Sequence, residues 1–309
     1  MASILPTKSS GGALDVSFEH LRQLYKVRGG AQVIAIDNVT GTIRAGRPTM
    51  ILGPPGCGKS VFLRLLSGRE AATGGSVFFN GENAKTLDQK RGLLWTRLAA
   101  HSPQDDVQEP LLTVQQTLDF VADFSGSTAA GAVPGPLTTA ETLQLLGSAH
   151  VKGTITDNVS IRGISGGQQR RVTVGEALLP RAPLLCLDEP TNGLDATTKL
   201  DAATAAQVLG GIATRYRESG GAFLAALQAP TPETAAVFDD VIVLSEGKIL
   251  YSGPWGAPLE AYLASLGYAK PANEELAIWV VKWATSPELA ASIASPQQLV
   301  REQFSGGGR

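Results

Sequence analysis

Gly53 to Ser60, read GPPGCGKS, sets glycines around one lysine and one hydroxyl in the spacing G-x-x-x-x-G-K-[ST]. Glycines let successive backbone N–H groups converge on phosphate oxygens without side-chain obstruction, and a following helix adds the positive end of its dipole. Lys59 places a cation at the β- and γ-phosphates of a nucleoside triphosphate, and Ser60 offers a hydroxyl to Mg2+. The phosphate-binding set is Gly53, Pro54, Pro55, Gly56, Cys57, Gly58, Lys59, Ser60 and the next residue, Val61. Cys57 has two readings: a small side chain that fits the loop, or a thiol whose pKa the phosphate and helix N-terminus lower.

A second pattern is LLCLDEP, Leu184 to Pro190. An apolar run that delivers Asp188 and Glu189 at its carboxyl end suits a Mg2+ ligand followed by a carboxylate for the attacking water. These two patterns do not separate a transport ATPase from a kinase or a GTPase. A third pattern, Ser165-Gly166-Gly167-Gln168, opens a helical stretch. Ser-Gly-Gly at a helix N-terminus is an anion site that brings no cation of its own, so it suits a γ-phosphate already held by another subunit's lysine.

The elements that must carry these residues follow from periodicity. VSFEHLRQLYKV and QVIAIDNVTGTIRAG read as strands joined at Gly29–Gly30, and PTMILG as a short strand entering the glycine loop. SVFFNG and RLAAHSPQ are further strand candidates; TVQQTLDFVADF opens as a helix with Thr113 as N-cap. Residues 125–136 are small and Pro-rich and read as a flexible connection, after which helical spacing resumes at TTAETLQLLG. APLLCLDEP has the continuous apolarity of a strand buried on both faces. A long helix fits 196–216, then the strand GAFLAALQ, a short helix, and the pair DDVIVLSEG and KILYSG. Alternating strands and helices predict an α/β sandwich with a largely parallel sheet.

Composition bounds the rest. With 26 Lys+Arg against 28 Asp+Glu there is no bulk basic field, so nucleic acid is not an expected partner. Two cysteines exclude a disulfide scaffold and point to a reducing compartment. No apolar run reaches the roughly 18 residues of a membrane span, and 1–12 lacks the apolar core of a signal peptide. The three histidines, His20, His101 and His150, have no metal-ligand spacing, and the pair Arg170–Arg171 reads as a surface feature.

RGISGGQQRRVTVGEALL, Arg162 to Leu179, resembles the signature sequence of ATP-binding cassette proteins. The resemblance extends from Val16 to Thr285 and is closest to the G subfamily of these transporters, and within it to the N-terminal cassette of pleiotropic-drug-resistance transporters. GPPGCGKS, RVTVGE, and FDDVIVLSEGKILYSGP followed by AYLASLGY carry it. It implies a P-loop NTPase sandwich with a mainly parallel core sheet, an antiparallel β subdomain and a small α-helical subdomain at about 105–180. The cassette would occupy 16–285, preceded by a flexible segment, 1–15, and followed at 286–309 by a linker toward a membrane domain. ATP and Mg2+ are the implied cofactors, a second cassette and a transmembrane domain the implied partners, and the cytosolic face of a membrane the implied location.

By the same resemblance, Lys59 and Glu189 serve hydrolysis, and Ser60, Gln104 and Asp188 serve the metal. Gln104 occupies the place of the Q-loop glutamine, Asp195 in GLDA the D-loop aspartate, and Tyr25 the aromatic residue that stacks on adenine. Ser165, Gly166, Gly167 and Gln168 complete the partner's site. One position departs from the general pattern: Gln228 stands where a switch histidine is expected, and an amide can donate a hydrogen bond but carries no charge. Gln228 keeps open a regulatory cassette with little hydrolysis, and a soluble cassette ATPase acting on nucleic acid or ribosomes is a separate alternative.

Overall fold

The computed structural model describes residues 13–27, 30–91, 95–125, 134–156, 163–191 and 199–286. The chain begins with a hairpin, β1 (Val16–Lys26) and β2 (Gln32–Ile43), continues through β3 (Thr49–Leu52) into α1 (Lys59–Leu66), and adds β4 (Gly74–Phe79) and β5 (Glu82–Asn83). Two short helices, α2 (Ala84–Arg91) and α3 (Trp95–Leu98), precede β6 (Ala99–Ser102), so only the second half of RLAAHSPQ is strand. Next come α4 (Val114–Ser125), α5 (Thr139–Leu145), a 3-10 turn at Ala149–Val151, and α6 (Gly166–Leu178). The remainder alternates: β7 (Leu184–Asp188), α7 (Lys199–Ser219), β8 (Ala222–Ala226), α8 (Pro232–Ala235), β9 (Asp240–Ser245), β10 (Lys248–Pro254), α9 (Ala257–Ser265) and α10 (Leu276–Ala284).

Two sheets result. One is antiparallel, order β2-β1-β4-β5; the other has order β10-β9-β3-β8-β7-β6 and is parallel except for the β9–β10 hairpin. Every residue of β3, β7 and β8 is buried, which requires cover on both faces and explains why their sequences are continuous apolar runs. Alternate residues serve opposite cores: Leu185 and Leu187 join one cluster, Leu184 and Cys186 the other. Phe18 of β1 meets Phe62 of α1 edge to face at 5.1 Å, which seats the antiparallel sheet on the helix that follows the glycine loop.

A third, smaller core of Val114, Leu118, Leu143, Ile164, Val172 and Leu179 joins α4, α5 and α6 into the helical subdomain. Each of these helices starts with a reciprocal cap. Thr113 Oγ1 accepts the Gln116 N–H at 3.2 Å while the Thr113 N–H donates to the Gln116 side chain, in line with the N-cap expected there. Thr138 with Glu141 and Ser165 with Gln168 repeat the arrangement. Most of the expected flexible connection, 126–133, lies outside the described residues. Among the described residues no helix is long and apolar enough to cross a membrane.

A cavity of about 360 Å3 opens between β6, α4 and α6, with His101, Val121, Thr173 and Glu176 among its walls and Arg69 and Arg97 at its side. Burial, then the charge of Asp106, pushes the Glu176 carboxyl up to about 7; burial, then Arg69, Arg64 and Arg170, holds His101 down at about 4. Between its unfolded value of 4.5 and 7, Glu176 binds more protons folded than unfolded, so its contribution lowers stability as pH rises through that window. Glu176→Gln removes the slope. The variant is expected to melt above wild type at about pH 8, with the gap closing near pH 4.5, in melting curves taken across that range.

Candidate functional site

The loop between β3 and α1 is fixed by contacts that only glycine permits. A Cβ on Gly53 would lie 2.1 Å from the Leu244 carbonyl oxygen, and one on Gly58, at φ 108°, would lie 2.5 Å from that of Ala35. Cys57 N–H closes the turn onto Pro54 O at 3.2 Å, and the Gly247 N–H, from the β9–β10 turn, donates to Cys57 O at 3.1 Å. Lys59 is buried, and its Nζ donates to Gly53 O at 2.7 Å and Pro54 O at 3.3 Å. In contrast to α4, α5 and α6, helix α1 has no side-chain cap, so the N–H groups of its first turn are left for an anion.

Burial raises the Cys57 thiol above its ordinary pKa, and Lys59 offsets this only in part. Of the two readings of Cys57, this direction favours the small side chain that fits the loop.

Sheet order brings the other groups to the same edge. Because β8 lies between β3 and β7, and β6 lies beyond β7, the residues leaving the carboxyl ends of β3, β8, β7 and β6 appear in the spatial order glycine loop, Gln228, Asp188–Glu189, Gln104. Asp188 is buried and its Oδ1 has no hydrogen-bond partner, and the Ser60 hydroxyl lies near enough to its carboxyl group to act on its pKa. Burial raises its pKa; the nearby Ser60 hydroxyl acts in the opposite sense. An orphan carboxylate oxygen beside a hydroxyl is the hard oxygen set that Mg2+ takes, with phosphate and water completing its shell. Among the described residues no group of three or more His, Cys, Asp or Glu is arranged to hold a metal alone.

Glu189 is buried at φ 49°, with its N–H donating to Ala226 O at 3.0 Å. Two amides hold its carboxylate: Gln228 Nε2 donates to Oε1 at 2.6 Å and Gln104 Nε2 to Oε2 at 3.1 Å. Gln104 therefore gives its NH2 group to Glu189, leaving its amide oxygen as the end that a cation would use.

Arg170 was missed in the sequence. Instead of lying on the surface it is 1% exposed, and it donates to the backbone oxygens of both Asp188 and Glu189. Helical spacing held the clue, since Arg170 falls on the stripe Gly167, Arg170, Val174, Ala177, all of it buried.

At the head of α6, Ser165 and Gly166 are exposed, and the Ser165 hydroxyl accepts the Gln168 N–H at 3.3 Å. Gly167 is buried beneath them, and the Gln168 Nε2 lies 3.3 Å from His150 Nε2. Tyr25 lies in β1, where its hydroxyl donates to Glu70, which also accepts from Gln23 and Arg64. That cluster joins β1 to the end of α1. Val61, partly buried, packs against the core under the loop. Asp195 lies outside the described residues.

Comparison with known proteins adds the family. The family described as ABC transporter matches residues 36–192. The chain is 31% identical over 271 residues to ABC transporter G family member 5 of Dictyostelium discoideum, covering 87% of this chain and 17% of that protein. It is 34% identical over 257 residues to ABC transporter G family member 43 of Arabidopsis thaliana, covering 72% of this chain and 18% of that protein. The chain thus spans less than a fifth of the length of these relatives. Among solved structures it resembles a dimeric bacterial ABC transporter cassette, with TM-score 0.59 and 22% identity over 77% of this chain and 98% of that one. A dimeric post-hydrolysis state of that cassette bound to ADP and Pi matches with TM-score 0.60 and 21% identity, over the same shares of the two chains.

Proposed function

This chain belongs to the ABC transporter family, its cassette of the G-family type, and on that premise we propose that it binds and hydrolyses ATP to drive export of a hydrophobic substrate through a transmembrane partner. The carrying observation is the grip of Gln104 and Gln228 on Glu189, at the sheet edge where the glycine loop also ends. Neutral amide donors orient a carboxylate, as a group that polarises water requires.

Lys59 exchanges the Gly53 and Pro54 carbonyls for phosphate oxygens of ATP, and the uncapped N–H groups of α1 take up further phosphate charge. Ser60 and Asp188, with the Gln104 amide oxygen, would hold Mg2+, which supplies charge neutralisation to the phosphates when bound. Glu189 accepts a proton from the attacking water once one of its two amides lets go. Tyr25 is assigned to the adenine by the family resemblance alone, its hydroxyl being tied to Glu70 beyond the end of α1, and Asp195 serves the contact between cassettes.

Ser165 and Gly166 are exposed at the head of α6, and with Gly167 and Gln168 they offer a site without a cation to a γ-phosphate presented by a second cassette once the Ser165–Gln168 cap gives way. Two cassettes then close head to tail, and closure moves membrane helices through its differential affinity for nucleotide states. The pleiotropic-drug-resistance type and the placement of 286–309 toward a membrane domain belong to this reading.

Gln228→Leu tests the clasp. Removing one of two orienting donors is expected to lower kcat about 10-fold while the KM for ATP moves less than about 3-fold, measured by steady-state phosphate release. Unchanged turnover would take Gln228 out of the reaction. The uncharged Gln228 also favours a second reading, a cassette that closes on ATP with little turnover. Phosphate release with and without the partner half separates the two: ATP-dependent pairing without release selects the second.

A further inference from the structure

The guanidinium of Arg170 occupies a junction that the reaction sketched above leaves without a role. Its Nε donates to Glu189 O at 3.1 Å and one terminal nitrogen, Nη2, to Asp188 O. The other, Nη1, donates to Pro103 O at 2.5 Å, to Asp106 Oδ1 at 3.1 Å, and more distantly to Gln104 O at 3.4 Å. One planar fork thus joins three segments that are remote in sequence: the exit of β7, the exit of β6, and α6 on which Arg170 itself rides. Among the described residues Asp106 is its one carboxylate partner, and it also accepts the Thr173 hydroxyl at 2.6 Å, so α6 holds this loop at two successive turns. Gln108 adds a third tie, donating to Gln169 O and Thr173 Oγ1.

We propose that Arg170 is a positioning residue for Glu189, holding the backbone of that carboxylate in place and linking it mechanically to the helix that begins at Ser165. Glu189 has φ 49°, a left-handed conformation that a residue with a Cβ keeps only when its surroundings over-determine it. Two backbone anchors do so, Ala226 O on the Glu189 N–H and Arg170 on the Glu189 carbonyl. Arg170 lies five residues beyond Ser165, about 7.5 Å along the helix axis. Any rotation of α6 therefore pulls on the Glu189 carbonyl and the Gln104 backbone together. A buried guanidinium is a costly way to fill space, and apolar residues pack such a position at least as stably. What it supplies is five donors in a fixed plane, which the single nitrogen of lysine cannot spread over acceptors on two strand ends.

This inference rests on the hydrolytic reading of Glu189, and its test keeps the two apart. Arg170→Lys and Arg170→Met are made in the full chain, with Asp106→Asn as a milder variant that keeps Thr173 bonded. Arg170→Lys is expected to lower kcat at least about 30-fold with the KM and equilibrium affinity for ATP within about 2-fold, the pattern of lost orientation without lost binding. Asp106→Asn is expected to lower kcat about 3-fold, since the carbonyl contacts persist. Hydrogen exchange on the nucleotide-free variants should lose protection at Glu189, whose N–H donates to Ala226 O, and keep it at Cys57, whose N–H donates to Pro54 O. Arg170→Lys with wild-type kcat overturns the proposal, as does a turnover loss matched by equal losses of ATP affinity and of protection across the chain. Absence of turnover in wild type counts against hydrolysis alone, and the exchange pattern then decides the role of Arg170.

Discussion

Glu189→Gln is expected to stop turnover while leaving ATP bound between two stably paired cassettes. The substitution conserves shape but removes the charge that draws a proton from water, and loss of a general base costs about 10²–10⁴ in rate. Both carboxylate oxygens of Glu189 accept from amide NH2 groups, so the new amide must turn its oxygen to one of Gln104 or Gln228 and set its own NH2 against the other. Neither change touches Lys59 or the glycine loop, so binding persists. Closed dimers then accumulate because nothing removes the γ-phosphate that bridges them. Light scattering after gel filtration in ATP reads the pairing, and phosphate release reads the chemistry. Wild-type turnover in this variant would remove Glu189 from its role.

Lys59→Ala carries the second large effect, on affinity. The ammonium is already poised inside the loop, bonded at 2.7 Å to Gly53 O and 3.3 Å to Pro54 O, so little ordering cost remains when phosphate replaces the carbonyls. Charge-assisted hydrogen bonds contribute about 1.5–3 kcal/mol each, and losing one or two lowers ATP affinity about 10²–10³-fold. Lys59→Arg is not expected to restore it, because the bulkier planar guanidinium cannot occupy the site of a compact ammonium. Equilibrium binding of ATP measures both variants, with melting curves to establish that they fold. Retained affinity in Lys59→Ala would contradict the phosphate assignment.

The legible parts of this protein were those in which chemistry and local geometry share a short stretch of chain. GPPGCGKS states its own loop through glycine spacing, and LLCLDEP states its burial through unbroken apolarity. Thr113 and Ser165 announce helix starts because a cap is a matter of three residues.

Pairings across the fold were not legible. The clasp of Gln104 and Gln228 on Glu189 exists only because β8 and β6 flank β7, an order that no local pattern encodes. Arg170 sat in a stretch with a second arginine and read as solvated, although its place on the buried stripe of α6 was available from helical spacing. Cys57 shows a different limit: adjacency to a lysine is visible in the chain, but the burial that outweighs it is a property of the packed loop.

Strand β8 has a bearing on biosynthesis. It is the wedge that brings the β3 and β7 exits into one sheet, yet among these three strands it is made last, since β3 ends at Leu52, β7 at Asp188 and β8 begins only at Ala222. A nascent polypeptide emerging N-terminus first carries the glycine loop and the acidic pair as separate halves until this late segment inserts. Ribosome-stalled chains ending before Ala222 should accordingly fail to retain ATP, and those extending past Pro254 should acquire it in one step.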